Sequence, residues 1–353
     1  MTTMTTPIQQ ERFFEKQTRF TSKSFMVQVV FLIVLIMVPL VPSFKFVDMV
    51  AKILIYILFV ASYDLILGYT GILSLAHGMF FGIGAYSLAL PIYHTSSGPH
   101  YYHFFIAIII AGMLSFILSL LLAAFSLRVQ AIFFALVSLC LAEFFLILGD
   151  QWRELTLGED GVSFMMPGIF ESRTMTYYMI LVVVVFLFLV LVRFTLSPLG
   201  RVLKGIRDNE ERVIAMGYKS LRYKIYPIVL GSIFASISGI LFAAWLRFVD
   251  PLTVLGIDTM LFCLLMVIIG GLGTMYGSIV GVIIIYLAQT WLPNILKAIA
   301  SVLPNHPLII GLTERWMLYF GILFILIMIY FPKGVIGTIQ AKQRDKKLAA
   351  MKQ

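Results

Sequence analysis

Long apolar runs separated by short polar segments make up most of the chain. A helix that crosses the hydrocarbon core of a bilayer needs about 20 mostly apolar residues. Runs of this kind occupy residues 25–42, 46–67, 70–92, 103–127, 129–149, 176–196, 225–246, 254–272, 273–292 and 308–331. They lack the alternation of apolar and polar positions that is typical of a strand. Because backbone groups in lipid must be hydrogen-bonded internally, we expect an all-α integral membrane protein with about ten transmembrane helices.

Small residues recur at a fixed spacing in two of these runs. One set returns 199 positions later as a second set, the two being Gly71, Ser74, Gly78, Gly82 and Gly270, Gly273, Gly277, Gly281. On a helix, such positions share one face and allow another backbone to approach closely. Helix packing explains either copy alone, whereas two copies predict an internal repeat of the kind that forms substrate sites in transporters. Whether residues 68–92 and 270–292 span fully or turn back, and whether the repeat is parallel or inverted, stays open.

A third set of small residues follows the longest polar loop, at Gly231, Ala235, Gly239 and Ala243. This spacing favours simple helix packing. We also consider its face a candidate surface against a partner subunit.

Positive charge is concentrated in three of the polar segments. Residues 1–24 carry four basic residues, residues 197–224 carry seven against three acidic ones, and residues 332–353 carry six against one. Residues 150–175 instead carry five acidic and two basic residues. Since Lys and Arg are enriched in cytoplasmic loops, we predict two cytoplasmic tails (1–24 and 332–353) around a transmembrane domain (25–331). In that domain, 197–224 is a cytoplasmic loop and 150–175 is a periplasmic one.

The composition excludes most soluble functions. The chain is 61% hydrophobic and 12% charged, whereas soluble domains carry about 25% charged residues. The net charge of +9 follows the membrane topology rather than a nucleic-acid surface. Cys140 and Cys263 lie inside apolar runs, and no phosphate-binding loop, nucleophile elbow or zinc-protease motif is present. We therefore predict no catalytic, cofactor-binding or metal site, and active transport would need ATP hydrolysis by another polypeptide.

The loop 197–224 contains the signature of a short helix. Asp208 and Asn209 can cap it, two glutamates form an acidic first turn, and Gly217 can end it. Its apolar residues Val213, Ile214 and Met216 favour a docking element for a partner protein. An interfacial helix on the lipid surface is the alternative.

Three polar residues lie within or close to the apolar runs. Glu143 lies in the middle of the apolar run 129–149. We expect either that it lines a transport pathway or that it joins two helices through a buried hydrogen bond. His77 contacts substrate or backbone, or simply packs. Asp64, near a run's end, is expected to reach the interface and to be structural. Glu143 and His77, but not Asp64, join the small residues in the predicted translocation pathway. That pathway comprises Ser74, His77, Gly78, Gly82, Glu143, Gly273 and Gly277.

Residues 68–86, GYTGILSLAHGMFFGIGAY, resemble the signature of the LivM-like inner-membrane permeases of ABC importers for branched-chain amino acids. That family also includes urea and short-amide permeases. Further matching motifs are WRELT at 152–156, GEDG at 158–161, SPLGR at 197–201, IRD at 206–208, AMG at 215–217, GGLGTMYG at 270–277 and FPKGVIG at 331–337. The resemblance therefore covers nearly the whole chain after residue 45.

The resemblance implies an ABC-importer permease fold in the bacterial inner membrane, with both termini in the cytoplasm. The implied partners are a homologous second permease subunit, two cytoplasmic ATP-binding subunits and a periplasmic substrate-binding protein. The implied ATPase-coupling residues are Arg207, Asp208, Asn209, Glu210, Glu211, Ala215 and Gly217. The chain departs from the Glu-Ala-Ala form of many importer loops, because it reads Glu-Glu-Arg at 210–212.

The expected function is the permease step of branched-chain amino acid import, with no enzymatic activity of its own. Urea or a short amide is the second substrate class. An ion-coupled secondary transporter is the alternative of another class, with Glu143 as its intramembrane acid. That alternative leaves the short helix in the loop 197–224 unexplained.

Overall fold

A computed structural model describes residues 22–95, 98–126, 131–302, 315–331 and 334–338. Most of the predicted tails, 1–24 and 332–353, lie outside these residues. The chain divides into two compact units, residues 1–50 and 51–353.

The described residues form helices and one pair of two-residue strands. The helices are α1 (Ser22–Met37), α2 (Phe44–Thr70), α3 (His77–His94), α4 (Tyr102–Ser126), α5 (Ala131–Gln151), α6 (Arg153–Thr156), α7 (Arg173–Leu196), α8 (Pro198–Asp208), α9 (Glu210–Ala215), α10 (Ser220–Leu246), α11 (Pro251–Leu255), α12 (Ile257–Gly270), α13 (Met275–Val302) and α14 (Trp316–Tyr330). The strands are β1 (Val162–Ser163) and β2 (Phe248–Val249). Single 3-10 turns cover Val38–Leu40, Gly158–Asp160 and Gly168–Glu171.

Eight helical stretches of the described chain are long and apolar enough to cross a membrane, namely α2, α4, α5, α7, α10, α11 with α12, α13 and the stretch Met317–Thr338, which contains most of α14. The runs predicted at 25–42 and 70–92 correspond to the shorter helices α1 and α3, of 16 and 18 residues. The all-α multi-span fold is therefore confirmed, and the count of ten is approximate.

The second unit has α3 at its centre. Fourteen of the 18 residues of α3 are buried, and α3 packs against α4 and α10. The apolar stretches of α2 and α10 are 78% buried, whereas those of α13 and α14 are 22% and 13% buried. The helices α2, α3 and α10 therefore form the core, and α13 and α14 leave most of their apolar surface exposed.

Glycine allows the two central helices α3 and α10 to touch through their backbones. A Cβ atom on Gly84 would lie 1.8 Å from the carbonyl oxygen of Ser236, and one on Gly239 would lie 1.9 Å from that of Phe81. Gly231 approaches the backbone of Ser62 on α2 in the same way. This face of α10 is therefore used for helix packing inside the subunit, as the spacing favours, and the candidate partner surface on it is wrong.

The two polar loops lie at opposite ends of α10. This helix has 27 residues and is about 40 Å long at 1.5 Å per residue. At its first turn, Lys224 forms an ion pair of 2.7 Å with Glu210 of α9. Just beyond its last turn, Val249 of β2 pairs with Val162 of β1 in an antiparallel ladder. The segment predicted as the loop 150–175 thus closes one end of the core, and α8 and α9 lie at the other.

We predict that Gly84→Ala destabilises the protein, because the added methyl group would overlap the backbone of α10. Overpacking of this kind costs about 1–3 kcal/mol. Gly112→Ala is the matched control, since nothing lies within 4 Å of a Cβ atom there, and alanine favours a helix by up to about 1 kcal/mol. Thermal unfolding of the purified protein in detergent should show a lower midpoint for Gly84→Ala only. An equal midpoint for both variants would contradict the close crossing.

Candidate functional site

Both glycine-rich segments form a helix, a break and a second helix. The first break lies between α2 and α3 and the second between α12 and α13. Gly71 in the first and Gly273 in the second both have φ 75°, in the left-handed region that ends helices. Gly71 and Ser74 therefore do not share a helix face with Gly78 and Gly82, and that prediction is wrong. The same holds for the second set, in which only Gly277 and Gly281 lie on α13.

The two breaks lie against each other. The Oδ1 atom of Asp64 on α2 accepts a hydrogen bond of 2.8 Å from the backbone N–H of Gly273. A Cβ atom on Gly68 would lie only 2.3 Å from the same nitrogen, so only glycine allows this approach. Tyr63 and Phe59 of α2 lie against His77 and Phe81 of α3, and Met260 and Leu255 lie against Gly78 and Gly82. Both α2 and the stretch that leads through α12 therefore run antiparallel to α3, so the two helix–break–helix segments run in the same direction. This arrangement favours a parallel repeat over an inverted one.

Arg207 of α8 joins the same place. Its Nη1 atom donates a hydrogen bond to the carbonyl oxygen of Gly68, and a Cβ atom on Gly273 would lie 2.6 Å from that nitrogen. The Nζ atom of Lys204, one helical turn earlier, lies 4.7 Å from the centre of the Tyr69 ring, a favourable cation–π distance. We call Asp64, Gly68, Arg207 and Gly273 the junction.

The loop predicted to dock a partner folds as two consecutive helices. Pro198 begins α8, and the Ser197 side chain caps it by accepting from Gly200 N–H. Asn209 interrupts the helix in an extended conformation and caps α9, its Oδ1 atom accepting from the N–H of Arg212 at 2.9 Å. Gly217 follows α9 with φ 91°. The expected short helix is thus present, with Asn209 as its cap.

The helix α9 is anchored on one side and open on the other. Val213 is buried, and the carboxylate of Glu210 accepts a hydrogen bond from Lys224. Partial burial alone would raise the pKa of Glu210, but hydrogen bonds from Lys224 and Ser220 bring this pKa below its ordinary value. The exposed apolar residues are Ile214, Met216, Tyr218 and Leu221. A surface groove of about 490 Å³ runs between α9 and the start of α10.

The first predicted pathway residues lie in the buried core. Nε2 of His77 lies 2.9 Å from Oγ of Ser62, and the His77 ring stacks on Phe59 at 5.2 Å. Gly78 faces Met260 of α12, and a Cβ atom there would lie 3.3 Å from that of Met260. These contacts show that His77 and Gly78 pack within the closed core. Ser74, in the first break, is buried as well.

The other predicted pathway residues are spread over several elements. Gly82 on α3 faces Leu255 of α11, and Gly273 and Gly277 belong to the second break and to α13. Glu143 lies on α5, is half-buried, and makes no hydrogen bond or ion pair with any described residue. The structure thus brings Gly273 to the first break, but it does not join Glu143 to His77.

Sequence reasoning missed the role of Asp64. The side chain was expected to reach the membrane interface, yet Asp64 is only 1% exposed. The available signal was the four-residue spacing to Gly68, which places the two residues on the same face of α2. The partner on that face, Gly273, is distant in the sequence and could not be identified from spacing.

Comparison with known proteins agrees with the resemblance in the sequence. The family described as "Branched-chain amino acid transport system / permease component" matches residues 46–329. The high-affinity branched-chain amino acid transport system permease protein LivM of Escherichia coli K12 is 26% identical, covering 94% of this chain and 79% of the relative. The Salmonella typhimurium LivM protein is 26% identical over 89% of this chain and 75% of its own length.

An archaeal relative extends the comparison. The probable branched-chain amino acid transport permease protein LivM of Methanocaldococcus jannaschii is 27% identical, covering 75% of this chain and 80% of the relative. No solved structure matches the chain significantly. Because the family match covers most of the chain, including both breaks, the junction and α9, the protein belongs to the family of permease components of branched-chain amino acid transport systems.

Proposed function

We propose that the protein is the membrane-spanning permease subunit of an ABC importer that moves branched-chain amino acids across the bacterial inner membrane. The single observation that carries this proposal is α9, a capped helix that presents Ile214 beside the exposed apolar residues Met216, Tyr218 and Leu221, and whose neighbour α8 contacts the first helix break through Arg207. A partner that binds α9 can therefore act on the breaks. The relatives' names supply the substrate class, and urea or a short amide is the second choice.

The proposed partners are those that the family resemblance implies. Two ATP-binding subunits hydrolyse ATP, and this chain presents α9, flanked by Arg207, Asp208, Asn209 and Gly217, to one of them. A homologous second permease subunit covers part of the exposed apolar helix surface, and lipid covers the rest. A periplasmic substrate-binding protein docks at the opposite end of α10, on the segment 150–175. Both termini then lie in the cytoplasm, on either side of a transmembrane domain of residues 25–331, and the loop 197–224 within that domain is cytoplasmic as well.

Transport proceeds by alternating access. ATP binding and hydrolysis in the partner subunits move α9, and the movement reaches the breaks at Gly71 and Gly273, where the backbone is not helical. The neighbouring helices α3 and α13 then reorient and open the buried surface around Ser74, His77, Gly78, Gly82 and Gly277 to one side at a time. Backbone breaks of this kind occur in transporters where they line a substrate cavity.

An ion-coupled secondary transporter is supported by one residue only. Glu143 is half-buried within an apolar helix, where an acidic residue usually marks an ion pathway or a structural contact. This alternative gives no reason for a capped helix with exposed apolar residues beside it in a charged loop. We therefore rank it below the ABC permease.

The substrate is tested with the intact complex in proteoliposomes, together with its binding protein. We expect uptake of radiolabelled leucine, isoleucine or valine only when ATP is supplied to the ATP-binding subunits. Urea and acetamide should not compete with leucine. Uptake driven by a proton or sodium gradient without ATP would favour the secondary transporter, and competition by urea would favour the second substrate class.

The docking of α9 is tested by reversing the ion pair that anchors it. Glu210→Lys places two positive charges together at Lys224, so we expect ATP hydrolysis to continue while leucine uptake per ATP falls about tenfold. Lys224→Glu alone should have a similar effect. The double variant Glu210→Lys with Lys224→Glu restores the pair and should recover most of the uptake. Equal uptake in all four proteins would place the docking site elsewhere.

The break helices are tested with bulky side chains. A Cβ atom on Gly277 would lie 2.7 Å from the carbonyl oxygen of Gly270, and Gly78 is close to Met260. We expect Gly277→Leu and Gly78→Leu to abolish uptake while the chain still inserts in the membrane. Gly112→Leu is the control, at an open position on α4. Normal uptake by both variants would mean that the helices after the breaks need not pack closely for transport.

A further inference from the structure

The buried carboxylate of Asp64 lies where three elements meet. It is on α2, its Oδ1 atom binds the N–H of Gly273 in the second break, and the charges of Lys204 and Arg207 on α8 act on it. Its Oδ2 atom is buried and has no hydrogen-bond partner among the described residues. Burying an acidic side chain with one carboxylate oxygen left without a hydrogen bond costs free energy, which indicates that Asp64 has a role beyond packing.

Arg207 makes the complementary connection. Its guanidinium group binds the carbonyl oxygen of Gly68, in the last turn of α2 and three residues before the left-handed Gly71. A carbonyl group at a helix end lacks a partner within its own helix. The side chain is 37% exposed, so it reaches from the surface helix α8 into the junction. It stands next to α9, separated only by Asp208 and Asn209.

We infer that Asp64 and Arg207 are a positioning pair that ties the loop helices α8 and α9 to both helix breaks, so that the two breaks move together when α9 is displaced. This inference deepens the proposed function and rests on it. Arg207 links α8 to the end of α2, and Asp64 links the end of α2 to the second break. Neither residue contacts substrate or ATP, since each acts through the backbone that it holds.

The contact between Gly68 and Gly273 explains why one pair of side chains serves both breaks. A Cβ atom on Gly68 would lie 2.0 Å from Oδ1 of Asp64 as well as 2.3 Å from the nitrogen of Gly273. The two backbones and the carboxylate are therefore in direct contact. A shift of the end of α2 cannot leave Gly273 in place unless the hydrogen bond to Asp64 breaks.

The transport test uses the complete complex in proteoliposomes and measures leucine uptake per ATP hydrolysed. We expect Asp64→Ala and Arg207→Ala each to lower this ratio about fivefold or more, in the range of typical coupling between sites, while ATP hydrolysis persists. The double variant should have about the same ratio as the single variant with the lower ratio, because both side chains belong to one link. Arg201→Ala, at an exposed position on α8, is the matched control and should keep the ratio. A purely structural defect would lower the amount of complex but keep the ratio.

Several results would overturn the inference. These are an unchanged ratio in both single variants, losses that add in the double variant, or the same loss in Arg201→Ala. Should Asp64→Ala fail to assemble, Asp64→Leu replaces it in the cycle, because leucine is similar in shape to aspartate and has no acceptor for the N–H of Gly273. Arg207→Ala alters a partly exposed side chain and is expected to assemble.

Hydrogen exchange tests the same link without relying on transport. In the purified complex, Arg207→Ala should speed exchange in peptides that cover both breaks, residues 68–76 and 270–277, whereas Arg201→Ala should leave both unchanged. A link to both breaks would be contradicted if Arg207→Ala left exchange unchanged in both peptides, or if exchange became faster only in the peptide 68–76. If the unaltered complex imports no branched-chain amino acid, the proposed function fails, and the exchange result still decides on the positioning pair.

Discussion

Every backbone group that leaves a helix inside an apolar protein must find another hydrogen-bond partner, and this constraint governs the two breaks. In the first break, the N–H of Ile72 is bonded to Oγ1 of Thr70 at 3.3 Å, and that of Leu75 to Oγ of Ser138 on α5 at 2.8 Å. In the second, Asp64 supplies the acceptor for Gly273. Irregular backbone at membrane depth is tolerated only when it is buried in protein or lines a cavity. The breaks are thus stabilised by side chains from neighbouring helices, and they can change shape only together with those helices.

This dependence connects the surface helix α9 to the core. The segment from α8 to α9 is held at two points near its middle, because Arg207 binds α2 and the Glu210–Lys224 pair joins α9 to α10. Its exposed side carries the apolar residues Ile214 and Met216 beside the charged residues Glu211 and Arg212. The opposite end of the core is closed by the β1–β2 pair and by Arg247, which donates a hydrogen bond of 2.6 Å to the carbonyl oxygen of Glu171. A partner bound at α9 therefore has a continuous, hydrogen-bonded route to the breaks.

Much of the fold could be predicted because the bilayer imposes it. The apolar runs gave the positions of the helices, although α3 begins at residue 77 rather than 70 and α13 ends at residue 302 rather than 292. Capping chemistry gave α9 with its limits at Asn209 and Gly217. The spacing of small residues was less informative. Gly71 and Gly78 have the spacing of neighbours on one helix face, but Gly71 is itself in the left-handed conformation and ends the helix before Gly78. The junction could not be predicted, because Asp64 and Gly273 are 209 residues apart and their contact depends on tertiary packing. The same holds for His77, whose partner Ser62 lies on the preceding helix.

In the transport mechanism proposed above, α9, the junction and both breaks form one mechanical unit of an ABC permease. The most direct test is a cryo-electron microscopy comparison of the complete complex without nucleotide and with ATP bound. We predict that α9 moves relative to α10, and that the contacts of Arg207 with Gly68 and of Asp64 with Gly273 shift with it, so that α3 and α13 reorient together. A displaced α9 with both breaks unchanged relative to α10 would contradict this account.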